Sequence, residues 1–587
     1  MLESEVTAKK PSQSRLRIGY RLIRDLLKFH PRVFAIAVGG ASIYAICTVA
    51  SSFGVSYLVD RVILPRFETG KIDTRVYLIG AAIVIGIGLL RAFGVVIRRS
   101  FAGISNWRTV ESISMLLVRH IMSQPLFWHK KKMTGDLVAR VGVDSDAAAE
   151  VLGPLPFSTS VVLLVFLTGG WLVVVDVPLG LVAISVIPIL LLLNVGYQRR
   201  IDRHYDSAQH ELGALSSAVH ESFDGVMVVK AFGAEERETS RLSVISTRLK
   251  DARIRAVSAR STFEALLDGV PSLVNILLLV VGAMRVESQS MSVGELTSFI
   301  YLFTLLIFPL RIIGYVLSSV PHSASGYKRV REILDESVAR DPQTMVLASS
   351  AELGVRLEGV SFRYDEHLPE VVSDVSLDVA AGTTVVIVGA TGSGKSTLLS
   401  VMAGLLQPSK GQVSIANRSA SIVFQEPFLF SGTIRHNIDM GRSIEDHVLK
   451  RSLYLSAADD FVAALDDGVN TVIGERGISL SGGQRQRISL ARAIAQDCSV
   501  LLLDDTTSAL DTVTESLVID RLRQSGNIVT TIIVASRPST IALADEVIFI
   551  ENGALSDQGS HPDLLLRNEN YRLLMRSFEH DREQGIL

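Results

Sequence analysis

A multi-domain fold is what this sequence predicts: an all-α six-helix transmembrane domain with long cytoplasmic helix extensions, followed by a soluble α/β domain. Three observations predict it. The chain of 587 residues is 48% hydrophobic and only 20% charged, where soluble domains carry about 25% charge. Its apolar residues gather into six long stretches before residue 320. Beyond about residue 345 the pattern changes to short β-rich runs alternating with helical ones. The composition also excludes much. Lys+Arg 58 against Asp+Glu 60 leaves a net charge of −2, so there is no basic field for nucleic acid. Two cysteines, Cys47 and Cys498, allow neither a disulfide scaffold nor a Cys-ligated zinc site.

Residues 1–32 are polar and basic, unlike a signal peptide. Arg17, Arg21, Arg24 and Lys28 recur at helical spacing opposite Ile18, Leu22, Ile23 and Leu26, so this segment reads as an amphipathic helix at the membrane surface. Residues 33–325 form the expected transmembrane domain, with spans at about 33–59, 76–97, 151–175, 177–198, 264–285 and 294–320. The first has 27 residues without a charge, about 40 Å of helix against a hydrocarbon core of about 30 Å. Segments 98–150 and 199–263 hold eight and eleven Lys/Arg, whereas 60–75 and 285–295 hold four and one. That excess places the long segments, and with six spans both termini, in the cytoplasm. The long segments lack turn signals and read as helices continuing well past the bilayer.

Within or beside the spans, Arg91, Asp268 and Arg311 are ionisable, and two readings stay open: contact with a polar or amphiphilic substrate in a cavity, or structural pairing at wet helix ends. Pro271 and Pro309 are candidate kinks in the fifth and sixth spans. A linker is expected over 326–350, and the α/β domain over 351–587.

The strand pattern Val385–Val388 runs directly into Gly389-Ala390-Thr391-Gly392-Ser393-Gly394-Lys395-Ser396-Thr397. This is the phosphate-cradling P-loop pattern. Its glycines let backbone N–H groups turn inward around phosphate oxygens, Lys395 reaches the β/γ-phosphates, Ser396 offers a hydroxyl to Mg²⁺, and the next helix aims its positive end at the anion. The pattern therefore predicts an α/β P-loop ATPase domain, with ATP and Mg²⁺ as the expected cofactors. A second apolar strand, Ser499–Leu503, ends in Asp504-Asp505, and an acidic residue at a strand's end beside a P-loop suits Mg²⁺ coordination. Between the two lies Leu480-Ser481-Gly482-Gly483-Gln484.

These motifs together carry a family resemblance: residues 355–565 resemble the nucleotide-binding cassette of ATP-binding cassette (ABC) transporters, whose signature is LSGGQ. The resemblance implies that Tyr364 stacks on adenine and that Gln425 touches Mg²⁺ and the attacking water. It makes Ser508-Ala509-Leu510-Asp511 the D-loop and 471–477 a stretch facing the membrane domain. The segments Leu126–Leu137 and Glu221–Phe232 resemble the coupling regions through which such exporters carry cassette motion to the spans. Six spans plus one cassette resemble a half-transporter of the exporter type. No peptidase-like segment precedes the spans, which weighs against a dedicated peptide-processing exporter.

Two positions depart from the family pattern. The general-base Glu after the Walker B aspartate is Asp505, one methylene shorter, and the switch histidine is Ser536, neutral and short. A misplacement of about 1 Å in a catalytic group can lower a rate about 100-fold. The signature Leu480–Gln484 is intact. In ABC dimers each ATP lies between the P-loop of one chain and the signature of the other. The resemblance therefore implies a heterodimer: this chain's own site is degenerate, and its signature serves a partner half-transporter that carries Glu and His. The implied function is ATP-driven export of an amphiphilic small molecule or lipid across a bacterial plasma membrane. A siderophore-type importer of the same fold, and a regulatory or gating subunit in which ATP binding matters more than turnover, are the alternatives.

Overall fold

The computed structural model describes residues 15–70, 73–338, 345–346, 353–416, 420–474, 477, 479–506, 510–524 and 529–583. Its contacts divide the chain into two compact units. One comprises the residues up to Met122 and Thr134–Ser337, the other Ser123–Met133 and Val338–Leu587.

The first unit is helical. Arg15–Leu27 is followed by Pro31–Leu58, which starts on a proline at its first turn, where the missing N–H is not needed. Then come Thr74–Met122, Leu155–Val175, Val177–Asp224, Glu235–Glu287 and Val293–Leu334. The 49 residues of Thr74–Met122 make about 73 Å of helix, more than twice the hydrocarbon thickness. Among the described residues four helical stretches are long and apolar enough to cross a membrane: Pro31–Phe67, Thr74–Met122, Thr134–Val175 and Glu235–Glu287. Two shorter apolar stretches, Val177–Ile189 and Val293–Ile307, lie within the remaining long helices. Pro271 and Pro309 sit inside unbroken helices.

Leu164, Leu172, Leu179, Leu278, Phe299 and Leu302 anchor one core cluster of this unit. Polar residues pin its helix ends. Asp176, 5% exposed, accepts from Leu179 N at Oδ1, 3.0 Å, and from Arg285 Nη2 and Nε at Oδ2, 2.7 and 3.0 Å. Asp60, in a π-helical turn, accepts from Ser292 Oγ at 2.6 Å and Gly294 N at 2.8 Å. Helices Pro31–Leu58 and Thr74–Met122 touch closely, since a Cβ on Gly40 would lie 2.7 Å from Arg98 N. Such small-residue contacts suit packing where no hydrophobic force separates helix from lipid.

Two expectations shift. The amphipathic N-terminal helix buries Leu22 and Leu26 within the protein, so part of its apolar face is covered by protein, not lipid. Helix Val293–Leu334 continues past residue 326 into the stretch expected to be linker. The side chains of Asp268 and Arg311 lie outside the described residues. Arg91 rests 5.3 Å over the Tyr44 ring.

The second unit is α/β. A six-stranded sheet runs in the order Ala554–Gly559, Glu546–Glu551, Thr384–Val388, Thr530–Val534, Val500–Asp504, Ala420–Val423. All its pairings are parallel except the outermost, between Ala554–Gly559 and Glu546–Glu551. Thr384–Val388, Val500–Asp504 and Thr530–Val534 are buried throughout, as a parallel sheet covered on both faces requires. One core lies between this sheet, the helix Lys395–Met402 and a four-stranded sheet containing Leu353–Phe362 and Val372–Ala380. A separate cluster holds Leu429, Ile434, Leu453, Leu480 and Ile488, forming a helical subdomain around Gly482–Ile494.

Candidate functional site

Four parallel strands end side by side, and each delivers one of the sequence-predicted groups. Thr384–Val388 leads into the glycine-rich loop, Val500–Asp504 ends in the acidic pair, Thr530–Val534 precedes Ser536, and Ala420–Val423 precedes Gln425. Carboxyl ends of parallel strands are where open α/β sheets hold their ligands.

The loop is built to approach an anion closely. Gly394 stands at φ +98°, and a Cβ there would fall 2.5 Å from Val371 O, so only glycine fits. It caps the helix Lys395–Met402. Lys395 Nζ donates to Gly389 O and Ala390 O, both at 2.8 Å. Ser393 Oγ is buried without a hydrogen-bond partner, an open polar group in the cradle. Ser396 Oγ donates to Asp504 Oδ1 at 2.8 Å.

Asp504 is 8% exposed. Burial pushes its carboxyl up from the ordinary range, against the Ser396 hydroxyl and the charges of Lys395 and Lys130. Burial likewise pulls the Lys395 ammonium down, opposed by Asp505 and Asp504. Asp505 takes a left-handed backbone conformation, φ +48°, which brings its Oδ2 to 3.2 Å from the Gln425 amide nitrogen. Ser536 is half-buried just after a strand flanked by the loop strand and the acidic strand. The structure thus sets Gly389–Thr397, Gln425, Asp504, Asp505 and Ser536 at the carboxyl ends of adjacent strands of one sheet.

Tyr364 joins them. Its hydroxyl is 3.0 Å from Thr397 Oγ1, and Phe362 packs edge-on at 5.0 Å. Phe127 lies 5.9 Å from the same ring. Sequence reasoning placed Phe127 in a coupling region but missed this contact, which no local pattern announces.

The signature residues stand apart in the helical subdomain. Ser481 caps Gly482–Ile494, with Ser481 N donating to Gln484 Oε1 at 2.9 Å and Gln484 N to Ser481 Oγ at 3.3 Å. This capping box leaves Ser481 and Gly482 exposed while Leu480 is buried. A helix amino terminus open to solvent is a ready anion site. Asp511 caps the helix after the acidic strand, accepting from Thr514 N at 3.0 Å; Ser508, Glu475 and Arg476 lie outside the described residues. Sequence reasoning also missed Glu515, 1% exposed, which pairs with Arg537 at 3.4 Å and ties down the segment after Ser536.

The family profile described as ABC transporter transmembrane region matches residues 40–310, and that described as ABC transporter matches 372–508. The chain is 30% identical over 478 residues to a probable multidrug resistance ABC transporter ATP-binding/permease protein of Bacillus subtilis, covering 78% of this chain and 80% of that one. It is 29% identical over 574 residues to an ATP-dependent lipid A-core flippase of Chromohalobacter salexigens, covering 94% and 97%. A bacterial Atm1-family ABC exporter solved with ATP bound shares the fold at TM-score 0.75, with 24% identity, covering 93% of this chain and 99% of that one.

Proposed function

The chain belongs to the ABC transporters of the exporter type, and on that premise we propose that it is the degenerate-site half of a heterodimeric exporter. Its cassette is an ABC ATPase, and ATP hydrolysis drives its transport. The reading assigns the nucleotide to Tyr364 for the adenine, to Gly389, Thr391, Gly392, Ser393, Gly394, Lys395 and Thr397 for the phosphates, and to Ser396, Asp504 and Gln425 for Mg²⁺. The fit rests on the close-approach glycines, the unpartnered Ser393 hydroxyl and the Ser396–Asp504 pair. Ser396, Asp504 and Gln425 would hold Mg²⁺, and the ion would supply positive charge to offset that of the phosphates. Lys395 exchanges its carbonyl partners for phosphate oxygens, and Gln425 orients water at the γ-phosphate.

One observation carries the degenerate-site reading. Asp505 stands where a longer base would, its short side chain drawn to Gln425 at 3.2 Å, and Ser536 offers no imidazole. The intact signature helix, its amino terminus exposed, supports service to a partner's ATP. The substrate class proposed is an amphiphilic drug or lipid, as the names of the relatives indicate for those proteins. The Lys/Arg distribution supports cytoplasmic termini, and the bacterial relatives support a bacterial plasma membrane.

The test is ATPase activity of the purified chain alone, with a co-purified second half-transporter, and after Asp505→Glu with Ser536→His. The reading expects a nearly inactive single chain, an active pair, and a rise of about 100-fold in the chain's own turnover with the double change, the scale of a catalytic group moved by about 1 Å. A single chain that turns over as fast as the pair overturns it.

A further inference from the structure

Three consecutive lysines, Lys130 to Lys132, close the segment Ser123–Met133, which belongs to the same compact unit as the cassette. Lys131 Nζ is 3.5 Å from Asp365 and 4.4 Å over the Phe127 ring. Lys132 lies 5.4 Å over Trp128. Lys130 differs. It is exposed and makes no ion pair among the described residues, and its Nζ stands 6.0 Å over the Tyr364 ring.

That ring is not an arbitrary neighbour. Its hydroxyl is tied to Thr397, the last residue of the phosphate loop, so an ammonium above it stands at the mouth of the same site. The field of Lys130 also reaches Asp504 on the adjoining strand end. Lys395, the cation inside the loop, is engaged with Gly389 O and Ala390 O. Phe127 and the Lys131–Asp365 pair hold the segment in place, while Lys130 keeps a flexible four-carbon stem and three free donors.

We propose that Lys130 is a nucleotide-binding residue, its ammonium taking an oxygen of the polyphosphate chain when ATP enters. A cation presented by the short helix Leu126–Lys131 then makes ATP affinity depend on how that helix is seated. The inference rests on the reading of Tyr364 and Gly389–Thr397 as the ATP site.

The experiment measures equilibrium binding of ATP, and competition by adenosine, to the purified full chain with magnesium withheld. Lys130→Gln, Lys130→Arg and Tyr364→Ala are compared with the parent. An exposed charge pair sets the scale, so Lys130→Gln is expected to weaken ATP about fivefold and leave adenosine unchanged. Lys130→Arg is expected to restore ATP affinity, and added salt to narrow the difference. No change in ATP affinity with Lys130→Gln, or equal losses for ATP and adenosine, overturns the proposal; equal losses would make Lys130 a support of the Tyr364 ring. Unaltered ATP binding in Tyr364→Ala would instead overturn the site reading beneath it.

Discussion

Asp504 is an acid held away from water, with the Ser396 hydroxyl and the charges of the half-buried Lys395 and of Lys130 for company. A carboxyl whose folded pKa lies above its unfolded value stabilises the fold below the unfolded value and loses that contribution as pH rises through the folded one. At neutral pH its ionised form therefore costs stability in the nucleotide-free chain. Asp504→Asn is expected to raise the nucleotide-free melting temperature and to abolish the extra stabilisation that Mg²⁺ adds to ATP, read by thermal unfolding with and without the metal. His561 works in the opposite direction. Burial lowers its pKa, and its Nδ1 sits 2.6 Å from the Tyr571 hydroxyl. Its contribution is present above the unfolded value of about 6.5 and fades as pH falls through the lower folded value. His561→Gln is expected to flatten the loss of cassette stability on acidification below that point; an unchanged pH slope would exclude this histidine as its source.

Helices in the first unit are long enough to need anchoring, and their ends show how it is done. Ser292 caps Val293–Leu334 by accepting from Glu295 N at 2.9 Å, and it also donates to Asp60 at 2.6 Å. Ser292→Ala removes both bonds, at about 1–2 kcal/mol. Asp176 is buried, caps one helix and pairs with Arg285 from another. Asp176→Ala strips a cap and leaves a half-covered cation unpaired, at about 3 kcal/mol. Thermal unfolding in lipid should rank the two variants in that order; a reversed ranking would mean that the Asp60 turn, not the Asp176 pair, holds the bundle ends. The amphipathic pattern of Arg15–Leu27 was legible from spacing, but periodicity cannot say whether lipid or protein covers the apolar side, and here protein covers Leu22 and Leu26.

For the molecule as a whole, the main feature is that Ser123–Met133 interrupts the helical unit in sequence yet packs with the cassette. Phe127, partly buried, packs against the core cluster that holds Leu398 and Leu399, and its ring lies 5.9 Å from that of Tyr364. Phe127→Ala is expected to lower cassette stability by about 1–2 kcal/mol, less than a fully buried phenylalanine would. Amide exchange should rise around Tyr364 and Thr397 while the membrane helices keep theirs. Unchanged exchange at those amides would show that the segment gives the site no support.

Some of this was written in the chain itself. Charge-free runs longer than a bilayer, an apolar strand flowing into Gly389–Thr397, and a second strand ending in Asp504 are local patterns, set by the periodicity of helix and strand and by the stereochemistry of glycine. They determined the two-part fold class and the P-loop ATPase. Other features required the chain to close on itself. Asp60 reaches Ser292 across 232 residues, Arg537 finds the buried Glu515, and Phe127 and Lys130 meet Tyr364. Such contacts join residues whose neighbours in sequence carry no trace of the partner. Only tertiary packing decides them, because burial and distance are properties of the folded surface and not of any window along the chain.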